Sequence, residues 1–337
     1  MTQGAAEDQS AVIDLLMDVR SYAHRPDSVT RIDTHGAMIF LAGDRAYKLK
    51  RAVRLAYLDF STVEKRRAVC ERELALNSVT APGLYLRVLP VARGKDGALT
   101  LGGEGEAADW VIEMRRFDQA QLFDRLAETG RLDMALIDKL GGLIAQFHAG
   151  AAATAGAAWP DSLAEVLRTV TAALRTDEFA QLGVESISSS LNRAFTTQEA
   201  LMIARRASGF VRRCHGDMHL KNIVLLDSKP RLFDALEFDE TLAQIDVLYD
   251  LAFLLMDLWR RGLKAEANAV LNRYFAGRAS EADLAGLALL PLFLAVRAGV
   301  RAMVGLDGLA VADPAGRDLL REETHGYARL AKALIAT

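Results

Sequence analysis

The chain has 337 residues, 51% of them hydrophobic and 25% charged, with a formal net charge of −3. That is a globular composition with room for two lobes, and its charge argues against a nucleic-acid partner held by a basic surface. Two cysteines, Cys70 and Cys214, lie far apart, which excludes a disulfide framework and a Cys/His zinc site and suits a reducing cytoplasm.

The N-terminal stretch MTQGAAEDQS is acidic and polar, unlike a signal peptide. Residues 11–23 have helical periodicity, and Pro26-Asp27 stops that helix. Three extended runs follow, 28–33, 38–42 and 45–50, joined by the turns Thr34-His35-Gly36-Ala37 and Gly43-Asp44. Such runs and turns predict a β-meander. Ser61-Thr62-Val63-Glu64 is a capping box, so a helix starts there and runs to about Val79. Residues 84–92 and 110–114 read as strands around a glycine-rich hairpin region, 94–105. The basic clusters 48–54 and 65–67 read as solvated faces of a strand and a helix.

The rest is largely helical. Residues 133–149 are amphipathic and end in Phe147-His148, and 162–208 predict two or more helices. The exception is 211–238, where short apolar runs alternate with turns. The longest uncharged run, Leu284–Val296, has 13 residues. About 20 are needed to span a bilayer, so it reads as a buried helix and no membrane segment is expected.

The chemistry concentrates in 214–238. His215-Gly216-Asp217 is followed by Asn222, five residues after Asp217, the D-x-x-x-x-N spacing of a kinase catalytic loop. Apolar strands 223–226 and 231–233, joined by a tight turn containing Pro230, predict a hairpin that brings Asn222 beside Asp234. Asn222 and Asp234 then offer oxygen ligands suited to Mg²⁺, and Asp217 remains a free carboxylate. Phosphoryl transfer asks for little more: metal bridging of the phosphates and a carboxylate to orient the acceptor hydroxyl and take its proton.

This stretch resembles the aminoglycoside phosphotransferase and choline kinase superfamily, whose signature is H-G-D-x-H-x-x-N followed by an aspartate on the next strand. Further segments resemble one bacterial branch of it: Asp44 to Lys50, Leu58 to Thr62, Cys70 to Leu74, Ala81 to Leu86, Glu113 to Asp118, Asp234 to Phe238 and Ile245 to Phe253. Together they cover roughly residues 28–260. Members of that branch often carry a P-loop ATPase domain as well; no G-x-x-x-x-G-K-[ST] occurs here, so the kinase half alone is expected.

The resemblance implies an α+β, two-lobed, protein-kinase-like fold. Residues 1–27 would be an N-terminal helical extension, 28–114 a β-rich N-lobe with one long helix, and 115–337 a larger, mainly helical C-lobe. It implies that a strand lysine, Lys48 with Lys50 as competitor, contacts the nucleotide phosphates. The lysine needs a carboxylate on the helix: Glu73 shares a face with Val69, Cys70 and Leu76, and Glu71 is the alternative. By resemblance, Glu113-Met114-Arg115 links the lobes and meets adenine through its backbone. His35 reads as structural, His215 and His219 as orienting residues, and Asp250 as the anchor of the catalytic loop, with Asp246 as the alternative.

Only 11 residues separate Asp234 from Asp246, and no A-P-E follows, which is too short for the activation segment of a protein kinase. The expectation is a cytoplasmic kinase that uses ATP or GTP with Mg²⁺ on a hydroxyl or amine of a small-molecule acceptor. Nucleotidyl transfer in the same site, or a nucleotide-binding pseudokinase, are the alternatives.

Overall fold

The computed structural model describes residues 7–34, 36–55, 58–154, 158–276 and 280–336. His35 lies outside them. The chain forms two compact units, one of residues 1–121 with 231–239 and the other of 122–230 with 240–337.

The first unit is built on six antiparallel strands. They are β1 (Val29–Asp33), β2 (Ala37–Ala42), β3 (Arg45–Lys50), β4 (Tyr85–Arg93), β5 (Leu99–Leu101) and β6 (Glu106–Arg115), in the order β1-β2-β3-β6-β4-β5. Alternation along β2 and β3 puts Met38, Phe40, Ala42, Tyr47 and Leu49 into one apolar cluster with Val91 and Val111. Val12 and Leu16 of the helix Ser10–Met17 complete that cluster. Full burial of such side chains is worth about 1.5–3 kcal/mol each. The helix stops earlier than its periodicity suggests. Asp18 accepts a hydrogen bond from the Arg20 N–H, which starts a separate 3₁₀ turn over Val19–Ser21. Gln9 joins the helix to the sheet, donating to Asp109 Oδ2 at 2.7 Å and to the Lys50 carbonyl at 2.9 Å.

The long helix spans Val63–Thr80, and its N-cap is Thr62, which accepts from the Lys65 N–H. Ser61, one residue earlier, bonds Asp59 instead. The helix buries a polar face, Arg66, Cys70, Glu73, Asn77 and Thr80. Periodicity of apolar residues alone would not have found it. Arg66, expected on a solvated face, is buried because it pairs with Asp109 at 2.9 Å and with Glu7 at 2.8 Å.

The second unit is mainly helical. Its long helices are Met134–Gly150, Asp161–Leu174, Val184–Ala207, Val247–Arg260, Leu290–Val311 and Pro314–Ile335. Asp133 caps the first of these through the Leu136 N–H. A short pair, Val211–Arg213 with Gln244–Asp246, brackets the 214–243 segment. The apolar stretch Glu281–Ala310 is long and apolar enough to cross a membrane by length and composition alone, but half of its most apolar window is buried inside the protein. The stretch is also divided, into Glu281–Ala285, a 3₁₀ turn over Gly286–Leu289, and the helix from Leu290.

Candidate active site

In the first unit a cluster of five charged side chains occupies the face of β3 opposite the apolar cluster. Lys48 and Lys50 are two residues apart on one strand, so they point the same way. Lys48 Nζ lies 2.7 Å from Glu73 Oε1 and 2.6 Å from Asp234 Oδ1. Lys50 contacts Glu73 Oε2 and lies 2.6 Å from Glu237 Oε1. These lysines are buried, at 7% and 3% exposure, rather than solvated as their basic neighbourhood suggested. Burial works against their charge, but Asp234, Glu73 and Glu237 more than offset it and hold both lysines charged. Glu71 is exposed and pairs with Arg67 four residues back.

Asp234 sits on a non-glycine backbone with φ of 59°. Such a conformation costs of order 1–3 kcal/mol and persists only where its surroundings impose it. Here Asp234 N–H donates to the Tyr85 hydroxyl at 3.1 Å, and Ala235 N–H donates to Asn77 Oδ1 at 3.0 Å. Asn77 Nδ2 in turn donates to the Glu73 carbonyl, so the helix that carries Glu73 also sets the Asp234 turn.

Glu113 and Met114 lie in the interior strand β6, paired on both sides to β3 and β4. The Glu113 carboxylate accepts from Tyr47 Oη at 3.1 Å and from Arg87 Nε at 2.6 Å. The Arg115 N–H is already committed to the Leu84 carbonyl.

The other half of the expected machinery lies in the second unit. Asn222 Nδ2 donates to Asp217 Oδ2 and to the Asp217 carbonyl, both at 2.9 Å. The five-residue spacing therefore closes a small loop through the Asn222 amide nitrogen. The Asp217 side chain is 40% exposed and lies 3.4 Å from His219 Nε2. Burial opposes its charge, but His219, Arg301 and His215 hold the carboxyl below the usual range. It is ionised at neutral pH.

Asp250 anchors this loop. Its carboxylate accepts from the N–H groups of His215 (3.1 Å) and Gly216 (2.8 Å) and lies 3.0 Å from His148 Nε2. Asp246 does something else: it forms a buried two-bond pair with Arg205 and caps the helix that carries Asp250. Two further residues hold the loop. Asp257 accepts the Leu220 N–H at 3.0 Å, and Arg297 donates to the Gly216 carbonyl at 3.2 Å while stacking on Tyr249. The strands Ile223–Leu226 and Lys229–Leu232 form, but their turn is Asp227-Ser228, both at positive φ, with Pro230 inside the second strand. Two consecutive residues of that conformation make the primed turn that suits strand twist.

The roles of His148, Arg297, Asp257 and Glu237 were not read from the sequence. A histidine on an apolar helix face and an arginine in an apolar helix carry no local signal of their tertiary partners.

Lys48 and Lys50 can be separated by experiment. Lys48→Ala is expected to raise the nucleotide KM or lower kcat by about 10- to 100-fold, the worth of a charge-assisted contact. Lys50→Ala leaves Glu237 without its closest cation and is expected mainly to destabilise the fold, by about 3–5 kcal/mol in urea unfolding. If Lys50→Ala impairs nucleotide use more than Lys48→Ala at unchanged stability, the roles are reversed.

The fold is that of the kinase-like phosphotransferases. A choline/ethanolamine kinase family protein of Mesorhizobium loti has a TM-score of 0.57 at 16% identity, with 97% of this chain and 95% of that one covered. A GDP and kanamycin complex of an aminoglycoside 2″-phosphotransferase has a TM-score of 0.54 at 16% identity, with 94% and 98% covered. The model of the phosphotransferase enzyme family matches residues 44–290, and the chain belongs to that family. An uncharacterised protein of Mycobacterium tuberculosis is 31% identical over 285 residues, which cover 81% of this chain and 53% of that protein. The chain thus spans about half the length of the curated relatives it matches.

Proposed function

We propose that the protein transfers the γ-phosphate of ATP or GTP to a hydroxyl or amine of a small molecule in the cytoplasm. The observation that carries this reading is the Asp217 carboxylate, held by Asn222 in a loop anchored on Asp250. Membership of the phosphotransferase family supports it.

In this reading Asp217 accepts a hydrogen bond from the acceptor hydroxyl and takes its proton. The acceptor oxygen bonds to the γ-phosphorus, the bond from that phosphorus to the β,γ-bridging oxygen breaks, and the nucleoside diphosphate leaves. Lys48, held charged by Glu73, meets the phosphates, and the base lies against the Glu113-Met114-Arg115 strand end. Asp234 and Asn222 would supply a carboxylate and an amide oxygen, ligand types suited to Mg²⁺. The ion would neutralise charge on the phosphates. Lys48 now occupies Asp234 Oδ1, so in this reading it exchanges that carboxylate for phosphate when metal–nucleotide binds.

Chelator is expected to abolish nucleotide turnover, and Mg²⁺ or Mn²⁺ to restore it. Asp234→Ala is expected to weaken binding of the metal–nucleotide complex in calorimetry. Full turnover in excess chelator, or intact binding and turnover in Asp234→Ala, places the metal elsewhere. Release of the diphosphate rather than pyrophosphate distinguishes this reaction from nucleotidyl transfer.

A further inference from the structure

Strand β3 changes partners just past Lys48. Its pairing with β6 runs from Arg45 opposite Arg115 to Leu49 opposite Val111, while its pairing with β2 continues to Lys50 opposite Ala37. The Arg51 N–H goes to the Gly36 carbonyl on the β2 side, so the Lys50 carbonyl and the Ala52 N–H face the other way, where β6 no longer pairs. The Gln9 side chain fills that place. Its Oε1 accepts the Ala52 N–H at 2.8 Å, and its Nε2 donates to the Lys50 carbonyl at 2.9 Å and to Asp109 Oδ2 at 2.7 Å. A side-chain amide offers the same donor and acceptor as a peptide group, so Gln9 continues the ladder that β6 has left.

The link goes on to the helix that carries Glu73. Asp109 Oδ1 accepts from Arg66 Nε at 2.9 Å. Arg66 also donates to the Phe60 carbonyl at 2.9 Å and to Glu7 Oε2 at 2.8 Å. It lies two helical turns before Glu73, on the same buried face. Gln9, Arg66 and Asp109 are all buried, so water competes little for these bonds. The helix Ser10–Met17 packs Val12 and Leu16 on the apolar face of the sheet, and the helix Val63–Thr80 presents Glu73 to the lysines on the other. Residues Glu7 and Gln9 are thus a polar tie between the strand of Lys48 and the helix of Glu73. The Lys48–Glu73 contact of 2.7 Å depends on that spacing, because a shift of about 1 Å would lengthen it beyond a hydrogen bond.

Resting on the phosphotransferase reading above, we infer that Gln9, Asp109 and Arg66 are positioning residues for the nucleotide site. The docked arm holds β3 at the distance from the Glu73 helix at which Lys48 meets the phosphates. All three act through Lys48 and Glu73 and touch no nucleotide themselves.

The test measures binding of Mg²⁺ with a non-hydrolysable ATP analogue to the full chain by calorimetry, beside stability in urea. Gln9→Met keeps the length of the side chain and removes its three hydrogen bonds. It is expected to weaken nucleotide binding about tenfold. In a Lys48→Met background the same substitution is expected to cost less than about twofold, because the group it positions is gone. Val12→Ala is the control for a merely structural role. It loosens the same helix through its apolar anchor and lowers stability, and affinity is expected to stay within about twofold. The Glu7 side chain is 45% exposed, so Glu7→Ala should fold normally, with affinity about threefold weaker. Unchanged affinity in Gln9→Met overturns the inference, as does unchanged affinity in Glu7→Ala where Gln9→Met does not fold. So does an equal loss in the Lys48→Met background, or an equal loss in Val12→Ala. Those results leave the kinase reading standing. If the unsubstituted chain binds no metal–nucleotide complex, that reading fails and this inference falls with it.

Discussion

Asp217→Asn is expected to lower turnover by about 10²–10⁴-fold, which is about 3–5 kcal/mol in barrier, while nucleotide affinity changes by less than about tenfold. The substitution keeps the size of the side chain and removes the proton acceptor. It also changes the local hydrogen bonding in a defined way. Asn222 Nδ2 now donates to Asp217 Oδ2, and an asparagine at 217 can still accept there through its carbonyl oxygen. The loop should therefore keep its shape, and calorimetry with metal–nucleotide should report near-normal affinity. A variant that keeps its thermal stability but loses nucleotide binding would make Asp217 a metal ligand. One that keeps near-full turnover would leave a kinase-like fold without this chemistry.

Asp250→Ala is expected to cost about 3–5 kcal/mol of stability and to lower turnover as well. Asp250 is fully buried, and its two oxygens serve the His215 and Gly216 N–H groups and His148. Removing the carboxylate strands two buried backbone donors at about 1–3 kcal/mol each and unties the loop that carries Asp217. Urea unfolding measures the first effect and steady-state turnover the second. A loss under about 1 kcal/mol would show that the loop finds other partners.

The same residue predicts an acid limb. Burial would raise the Asp250 pKa, but the His148 hydrogen bond and the charges of His148, His215 and Arg297 lower it from 3.8 to about 2. A carboxyl depressed in the folded state contributes stability above its unfolded pKa and loses it as pH falls through the folded one. The contribution, about 2–3 kcal/mol, should be intact above about pH 4 and vanish toward about pH 2. Asp250→Ala should flatten that part of the stability profile. An equally steep limb in the variant would assign it to other carboxylates.

Local signals in the sequence determined a good deal. The meander, the start of the long helix within one residue, and the spacing from Asp217 to Asn222 were all legible, because turns, caps and loop motifs depend on residues a few positions apart. The side of the helix that Glu73 faces was legible too, from its place in a helical period beside Cys70. What tertiary structure alone decided is who meets whom across long separations. Lys48 and Lys50 share Glu73, and Asp234 and Glu237 join them from nearly two hundred residues away. Asp250 and Asp246, four residues apart on one helix start, were the favoured candidate and its alternative in sequence. They diverge because one meets the backbone of the catalytic loop and the other meets Arg205. Partners of buried charges are chosen by proximity in space, and a buried carboxylate or guanidinium must find one wherever the chain brings it.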